Sequence, residues 1–289
     1  MTVDIIIPTY NRASLLAETL KSVQGQTYTD WLCWIAEDGE NQETREAIKP
    51  FLADNRFIHL PGRHVGYPAA PRNRAIRQGS ARFVAFLDDD DLWLPEKLAI
   101  QVEFLERNTA CVLLGTNAFR WDGIGDKKEA PLYHQKISFG LAPYERLVQE
   151  NVFIISSALT RREHLIQAGA FNEGLTPPVG EDYELWLRLG ALGEAWMLAD
   201  PLLIYRETTS TYYTKKMGRA AKYQLRAGIY SAALQGTPDI PSPLADPAKK
   251  HYADLCRAER DFYHAGPRLL GSFRRTVSKK LKAIVALSQ

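Results

Sequence analysis

Four consecutive aspartates, Asp88 to Asp91, are the residues whose types and spacing most directly suggest chemistry. They follow the apolar run Phe-Val-Ala-Phe-Leu at 83–87, which is typical of a buried strand. Adjacent carboxylates repel one another, and the repulsion strengthens where water is excluded. Hard divalent cations such as Mg²⁺ and Mn²⁺ bind carboxylate and phosphate oxygens and would relieve it. The run therefore predicts a divalent cation or a very polar cavity at this place, and the alternative is a solvated loop that caps a helix beginning near Pro95.

Strand and helix patterns alternate around these aspartates. The apolar spacing predicts strands at 3–8, 31–36, 57–60, 83–87, 111–119 and 153–159. Helices are predicted after an Asn11 cap and at 42–53, 72–78, 162–167 and 181–189. Such alternation predicts an α/β fold, Rossmann-like, with a mostly parallel central sheet flanked by helices. The polar segment 122–145 is predicted to be a loop. Beyond residue 210 the pattern changes to a helical C-terminal extension, with helices at 220–234 and 252–262.

Polar residues follow three of the predicted strands, and that placement predicts one shared crevice. They are Thr9-Tyr10-Asn11, Glu37-Asp38 and the aspartate run. Ligands of open parallel sheets bind beyond the carboxyl ends of the strands, so these groups are expected to converge. Arg72 lies in the same half of the chain and is a candidate for contact with a phosphate or a base edge; the alternative is a surface arginine.

Five segments occur in an order that resembles family 2 glycosyltransferases with the GT-A fold. They are Ile-Ile-Pro-Thr-Tyr-Asn-Arg (6–12), Glu-Asp-Gly (37–39), Pro-Arg-Asn-Arg-Ala-Ile (71–76), Phe-Leu-Asp-Asp-Asp-Asp-Leu-Trp (86–93) and Gly-Glu-Asp-Tyr-Glu-Leu-Trp-Leu-Arg-Leu (180–189). The resemblance covers about residues 3–210. It implies an inverting enzyme with a nucleotide-diphosphate sugar as donor and Mg²⁺ or Mn²⁺ held by an Asp-X-Asp motif. It also implies a GT-A nucleotide-sugar-binding and catalytic domain at 1–210, with 211–289 as the extension.

The resemblance also implies roles for individual residues. Asp38 would bind the donor's base, usually uracil or thymine, and Asp90 would bind the metal together with Asp88. The catalytic base would come from Glu181-Asp182. We favour Asp182 and keep Glu181 as the alternate, because the helix phase does not decide between them; helix capping is the structural alternative for the pair. The remaining candidate donor-binding residues are Pro8, Thr9, Tyr10, Asn11, Arg72, Asp88 and Asp89.

Two positions depart from the family pattern. The second-strand motif reads Glu37-Asp38-Gly39-Glu40, where many relatives have Asp-Asp-Gly-Ser. Many relatives also carry a histidine shortly after a Tyr-Arg pair, whereas Tyr205-Arg206 is followed by Glu-Thr-Thr-Ser. The role that some relatives give this histidine, near the diphosphate or metal, must be vacant or filled by another residue.

Charge is distributed unevenly along the chain. Residues 1–200 carry 28 acidic and 20 basic side chains, while residues 201–289 carry six and 16. The segment 266–289 is basic with interspersed apolar residues, which predicts either peripheral contact with an anionic membrane or a helix that packs on the body or in a homodimer. Nucleic acid is not an expected partner. Three separated cysteines, and the lack of a secretion signal or an apolar run of about 18 residues, predict a cytoplasmic protein, at most peripheral at the inner membrane face.

The leading hypothesis is therefore a metal-dependent inverting glycosyltransferase that acts on a glycan or lipid-linked acceptor in surface polysaccharide biosynthesis. A sugar-nucleotide pyrophosphorylase is less consistent with the residues, because the stretch 8–12 lacks the glycine-rich phosphate loop expected after the first strand of that class. A non-catalytic nucleotide- or glycan-binding module is the third hypothesis.

Overall fold

The structure, a computed structural model, describes residues 1–135, 139–175, 179–207, 229, 232 and 233. In these ranges the strands are β1 (Val3–Thr9), β2 (Trp31–Asp38), β3 (Phe57–Gly62), β4 (Phe83–Phe86), β5 (Leu92–Trp93), β6 (Cys111–Trp121), β7 (Gly140–Ala142), β8 (Leu159–Arg161) and β9 (Glu194–Arg206). The helices are α1 (Ala13–Gln24), α2 (Gln42–Ile48), α3 (Ala69–Gln78), α4 (Lys97–Arg107), α5 (Tyr144–Gln149), α6 (Arg162–Gln167) and α7 (Glu181–Gly190).

All nine strands belong to one sheet, ordered β3-β2-β1-β4-β8-β6-β9-β5, with β7 paired to β9. The long pairings β1–β2, β2–β3 and β6–β9 are parallel, as is β1–β4, whereas the short strands β5, β7 and β8 pair antiparallel. The predicted α/β class with a mostly parallel sheet is thus confirmed. The chain runs outward from β1 to β3 and then returns to the other side of β1 as β4. Strand order therefore reverses beside β1, and a crevice is expected there.

The core lies on both faces of the sheet, because successive side chains of a strand point to opposite faces. In β1, Ile5 and Ile7 pack on one face with apolar residues of α1, α2 and α4, while Ile6 packs on the other with α3 and α7. Strands buried on both faces account for the continuous apolar runs in the sequence. This two-sided core holds the carboxyl ends of β1, β2 and β4 next to one another.

Several boundary predictions were wrong. The segment 153–159 is not a strand: it is extended and then forms a short 3₁₀ turn at Ile155–Ser157, so β8 begins only at Leu159. Ser157 Oγ donates to the Ile154 carbonyl (2.7 Å), a local bond that competes with strand pairing. The helix predicted at 42–53 is interrupted at Lys49-Pro50, because proline disrupts a helix interior.

Two further predictions need correction. Asn11 does not cap α1: its backbone is left-handed (φ 52°), and the cap position is Arg12 without a side-chain hydrogen bond. The segment 122–145 is not wholly a loop, since it contains β7 and the start of α5. Strands β5, β7 and β9 were not predicted. The apolar pattern of β9 is broken by Ala-Asp-Pro at 199–201, and pairing with β6, at a register shift, carries the strand across it.

The predictions for the C-terminal region are mostly outside the described residues. Ile229, Ala232 and Ala233 are helical, and Ile229 and Ala233 are buried against the domain. The rest of 220–234, the helix at 252–262, Cys256 and the basic segment 266–289 lie outside the described residues. No helix in the described ranges combines the length and the apolar character needed to cross a membrane.

Candidate active site

The crevice at the carboxyl ends of β1, β2 and β4 holds a cavity of about 1070 Å³. It brings together ten of the eleven candidate residues from the sequence: Pro8, Thr9, Tyr10, Asp38, Arg72, Asp88, Asp89, Asp90, Glu181 and Asp182. The exception is Asn11, which does not line the cavity; its Oδ1 accepts a hydrogen bond from Asn41 Nδ2 (2.9 Å) instead. The expected convergence of distant acidic residues on one crevice is therefore observed.

The aspartate run is held by buried hydroxyl groups. Thr19 Oγ1, in α1, donates to the carbonyls of Asp89 (3.0 Å) and Asp91 (2.8 Å), and Ser156 Oγ accepts the Asp88 amide (3.0 Å). These bonds fix the backbone of the run, and the side chain of Asp89 separates from the other three. Asp89 turns toward the end of β1, where its Oδ2 accepts from Thr9 Oγ1 (2.8 Å). Its burial raises the pKa of Asp89 to about 6.

The other three aspartates are arranged in a way that fits a divalent cation. One carboxylate oxygen from each of Asp88, Asp90 and Asp91 lies within 4.8 Å of the others. Asp91 is 1% exposed, and its Oδ2 has no hydrogen-bond partner among the described residues. Burial, then the carboxylates of Asp90 and Asp88, raises the pKa of Asp91 well above its usual range. An orphaned buried oxygen beside two more hard oxygen ligands fits Mg²⁺ or Mn²⁺. Asp91 was not among the sequence candidates for the metal.

Arg12 is a second cavity residue that sequence reasoning missed. Its Nη1 lies 3.0 Å from Asp89 Oδ1 and 2.8 Å from Asp90 Oδ2, so a guanidinium neutralises part of the acidic cluster. The same carboxylates raise the pKa of Arg12 against the effect of its burial. Its place directly after the polar end of β1 was the available signal.

Arg72 connects the two acidic groups of the cavity. Its side chain is 3% exposed, Nη2 donates to Asp88 Oδ1 (2.7 Å) and Nη1 donates to Glu181 Oε1 (2.7 Å). The alternative of a surface arginine is therefore wrong. A planar guanidinium presents several donors in a fixed fork, which lets it hold two carboxylates in one defined geometry. The geometry ties the N-terminus of α7 to the aspartate run and occupies Glu181 with an ion pair.

Asp182, the next residue, faces the cavity without such a cation. Asp182 is half-buried. Its Oδ2 accepts a hydrogen bond from Asn151 Nδ2 (3.3 Å), and Asp182 Oδ1 accepts one from the Tyr183 amide (2.7 Å). Burial, followed by repulsion from Glu181, raises the pKa of Asp182 to about 7. Gly180, in the left-handed region (φ 81°), allows the sharp entry into α7 that presents both acids. A carboxylate with a pKa near neutrality is suited to accept a proton.

Asp38 also lines the cavity; it is 4% exposed and meets the loop after β3. Its Oδ1 accepts the Val65 amide and its Oδ2 accepts the Gly66 amide, both at 2.8 Å. His64 Nδ1 lies 3.1 Å from Asp38 Oδ2, and the imidazole stacks on the Tyr10 ring with centroids 4.3 Å apart and planes at 15°. Sequence reasoning did not find His64, since nothing in its local pattern marks it.

Three more unpredicted residues complete the wall beside Asp182. Tyr133 and Tyr205 meet edge to face with centroids 5.1 Å apart. The Arg206 amide donates to Asp91 Oδ1 (2.9 Å), and its Nη2 donates to Glu18 Oε2 (2.6 Å). The family pattern has a histidine shortly after the Tyr-Arg pair. In this chain the guanidinium of Arg206 itself lines the cavity and supplies a cation there.

Comparisons with known proteins identify the family of this chain. The family model described as "Glycosyl transferase family 2" matches residues 4–169, more than half of the chain. The UDP-Glc:alpha-D-GlcNAc-diphosphoundecaprenol beta-1,3-glucosyltransferase WfgD of Escherichia coli is 34% identical over 113 residues, which are 39% of this chain and 44% of WfgD. The chain thus matches less than half the length of that relative.

Two solved structures show a similar fold. The S. aureus TarS 1-349 complex with UDP-GlcNAc superposes with a TM-score of 0.70 at 18% identity, covering 89% of this chain and 72% of TarS. The Pyrobaculum calidifontis mannosyltransferase PcManGT, in complex with GDP-Man and Mn²⁺, superposes with a TM-score of 0.61 at 17% identity, covering 98% of this chain and 80% of that one. At these identities the likeness concerns the fold.

Proposed function

The chain belongs to glycosyl transferase family 2, and from this premise we propose that it is an inverting, metal-dependent enzyme. Its donor is a nucleotide-diphosphate sugar, a UDP- or dTDP-sugar, and its acceptor is a hydroxyl of a glycan or lipid-linked glycan in surface polysaccharide biosynthesis. The observation that carries the proposal is the placement of Asp182, with a pKa of about 7, in the same cavity as the aspartate cluster.

The proposed reaction is a direct displacement at the anomeric carbon. The acceptor oxygen forms the new glycosidic bond while the bond to the diphosphate breaks, and the electron pair leaves with the diphosphate. Asp182 takes the acceptor's proton. Attack from the face opposite the leaving group inverts the configuration, so no nucleophilic side chain is required. General bases placed in this way contribute about 10²–10⁴ in rate.

The negative charge of the leaving diphosphate is met from the other side of the cavity. Asp88, Asp90 and Asp91 would hold the cation, which when bound supplies Lewis-acid stabilisation of the phosphate oxygens. Arg12 and Arg206 lie at the same wall and are positioned to pair with phosphate oxygens. Asp38 and Tyr10, which line the same cavity, would bind the base. Support for a bound donor and metal comes from the ligands named for TarS and PcManGT.

The assignment of the base favours Asp182 over Glu181. The Glu181 carboxylate is already paired with Arg72 (2.7 Å), and an ion-paired carboxylate is a weaker proton acceptor. Glu181 is accordingly proposed to position Arg72 and the start of α7. The basic segment 266–289 lies outside the described residues, so peripheral membrane contact, a cytoplasmic location and a homodimer stay predictions.

A donor panel tests the proposal. Release of nucleoside diphosphate is measured with UDP-glucose, UDP-GlcNAc, dTDP-glucose and GDP-mannose, each with Mn²⁺, Mg²⁺ or EDTA. WfgD's name suggests α-GlcNAc-diphosphoundecaprenol as the first acceptor to add. We expect metal-dependent turnover with one uracil or thymine donor. Saturable binding of these donors without turnover in any mixture would support the binding-module hypothesis instead.

A further inference from the structure

The loop that follows β3 places a side chain where the proposed function puts the nucleobase. We propose that His64 occupies the base position in the free protein and must leave it when the donor binds. This inference rests on the proposed function, because it presumes a nucleotide at Tyr10 and Asp38. It concerns how that site is controlled.

The imidazole makes both contacts that a base would need. It is a flat ring stacked on Tyr10, with a centroid distance of 4.3 Å and an interplanar angle of 15°. Its Nδ1 lies 3.3 Å from the Asp38 carbonyl oxygen, to which it is hydrogen-bonded, and 3.1 Å from Asp38 Oδ2, so a proton on Nδ1 is directed at Asp38. Uracil and thymine present the same combination, a flat ring and one ring N–H.

His64 and a base would approach the same side of Asp38 and Tyr10. A carboxylate has about four lone-pair sites, and the backbone amides of Val65 and Gly66 each occupy one at 2.8 Å. These amide bonds can persist with a nucleotide bound, since they use one site on each oxygen. A base that stacks on the same face of Tyr10, with its N–H toward Asp38, would take the place of the imidazole. The two rings therefore exclude one another.

The loop can release His64 without disturbing the core. The His64 side chain is 48% exposed, and Arg63 and Val65 beside it are exposed too. Gly62 and Gly66 flank the three residues, and Gly66 has a positive φ of 84° that side chains rarely adopt. Rotating the imidazole into solvent loses one stacking contact and one hydrogen bond, interactions of modest strength each.

The consequence is a uniform loss of nucleotide affinity. If the competent state is a fraction of the molecules, the apparent Kd is the intrinsic Kd divided by that fraction, whichever nucleotide binds. Removing the imidazole should lower the apparent Kd for UDP and for dTDP by the same factor. That factor is about tenfold if about 10% of the wild-type molecules have His64 out of the base position. A histidine that instead contacted the bound base would have the opposite effect, because its removal would weaken binding.

The experiment is calorimetric titration of the full chain with UDP, dTDP and GDP in the presence of Mn²⁺. The variants are His64→Ala, His64→Phe and, as a control in the same loop, Val65→Ala, which keeps the amide that bonds Asp38. We expect His64→Ala to lower the Kd for UDP and dTDP about tenfold, and Val65→Ala to leave both unchanged. Phenylalanine can stack on Tyr10 but cannot hydrogen-bond to Asp38. The Kd of His64→Phe for UDP should therefore lie between those of the wild type and His64→Ala.

The outcomes separate this inference from the proposed function. Unchanged or weaker UDP binding by His64→Ala, with the wild type still binding UDP, overturns the blocking role and leaves the donor site intact. Equal tightening by Val65→Ala overturns it too, because the effect would then belong to the loop and not to the imidazole. If no nucleotide binds to any of the proteins, both the donor site and the inference are refuted. Circular dichroism spectra of the variants verify that each is folded.

Discussion

Replacing Asp182 by asparagine tests the chemistry of the cavity most directly. Asparagine has nearly the same shape, so the contact with Asn151 can be kept through its own amide oxygen. The change removes a carboxylate that repulsion from Glu181 and Asp88 disfavours, so the fold should not be destabilised. What is lost is the group that accepts the acceptor's proton.

The expected loss follows from that role. A positioned general base contributes about 10²–10⁴ in rate, so transfer by Asp182→Asn should fall at least about a hundredfold. UDP binding should be nearly unchanged, because Asp182 is not among the residues proposed to contact the base or the diphosphate. The pH dependence is a second signature: with a pKa of about 7, Asp182 is the active carboxylate above that pH. Wild-type kcat should therefore fall about tenfold per pH unit below 7, and the variant should lack this limb.

The assay follows sugar transfer from the donor identified by the panel, from pH 5.5 to 8.5, alongside calorimetric titration with UDP. Asp200→Asn is the matched control, because Asp200 is an exposed acid on β9 outside the cavity wall. Transfer by Asp182→Asn near the wild-type rate, with the acidic limb intact, would refute the assignment and direct attention to Glu181. Loss of UDP binding in parallel with transfer would show instead that the substitution disturbs the whole cavity.

Three other substitutions test how the cavity and its support are built. Arg72→Lys should lower the free energy of unfolding by about 1–3 kcal/mol in urea titrations, since an ammonium does not reproduce both guanidinium contacts in the same geometry; equal stability would contradict the bridge. Lys97→Met tests a buried ammonium whose pKa burial lowers, and it also removes the donor to Gln101 Oε1 and the contact with the Trp93 ring. The wild type should gain stability with rising pH up to about 10.4, where the unfolded lysine loses its proton, and the variant should lack that gain. Gly180→Ala should lower the melting temperature, since it introduces a Cβ at φ 81°, a strain of about 1 kcal/mol or more; an unchanged melting temperature would show that α7 can begin differently.

The pattern of apolar residues in the sequence predicted strands and helices correctly where those elements are buried. The apolar runs before Thr9, Asp38 and Asp88 identified the three strands whose ends form the crevice, and the helix at 181–189 was placed within a residue. These strands are buried on both faces, so their sequence signal is strong. Strands β5, β7 and β9 were missed because they are short or interrupted, and pairing with distant strands determines them.

The sequence alone located the acidic residues of the cavity. Only the tertiary structure decided which of these carboxylates contacts which partner. The sequence pattern does not show which of Glu181 and Asp182, or of Asp89 and Asp91, serves as base or metal ligand. At a turn or a helix start, local sequence does not fix the direction of each side chain. Their directions depend on partners far along the chain: Arg72 engages Glu181, and Thr9 with Arg12 engages Asp89. Those partners meet only once β1 lies between β2 and β4, and strand order is a property of the packed sheet that no local segment encodes.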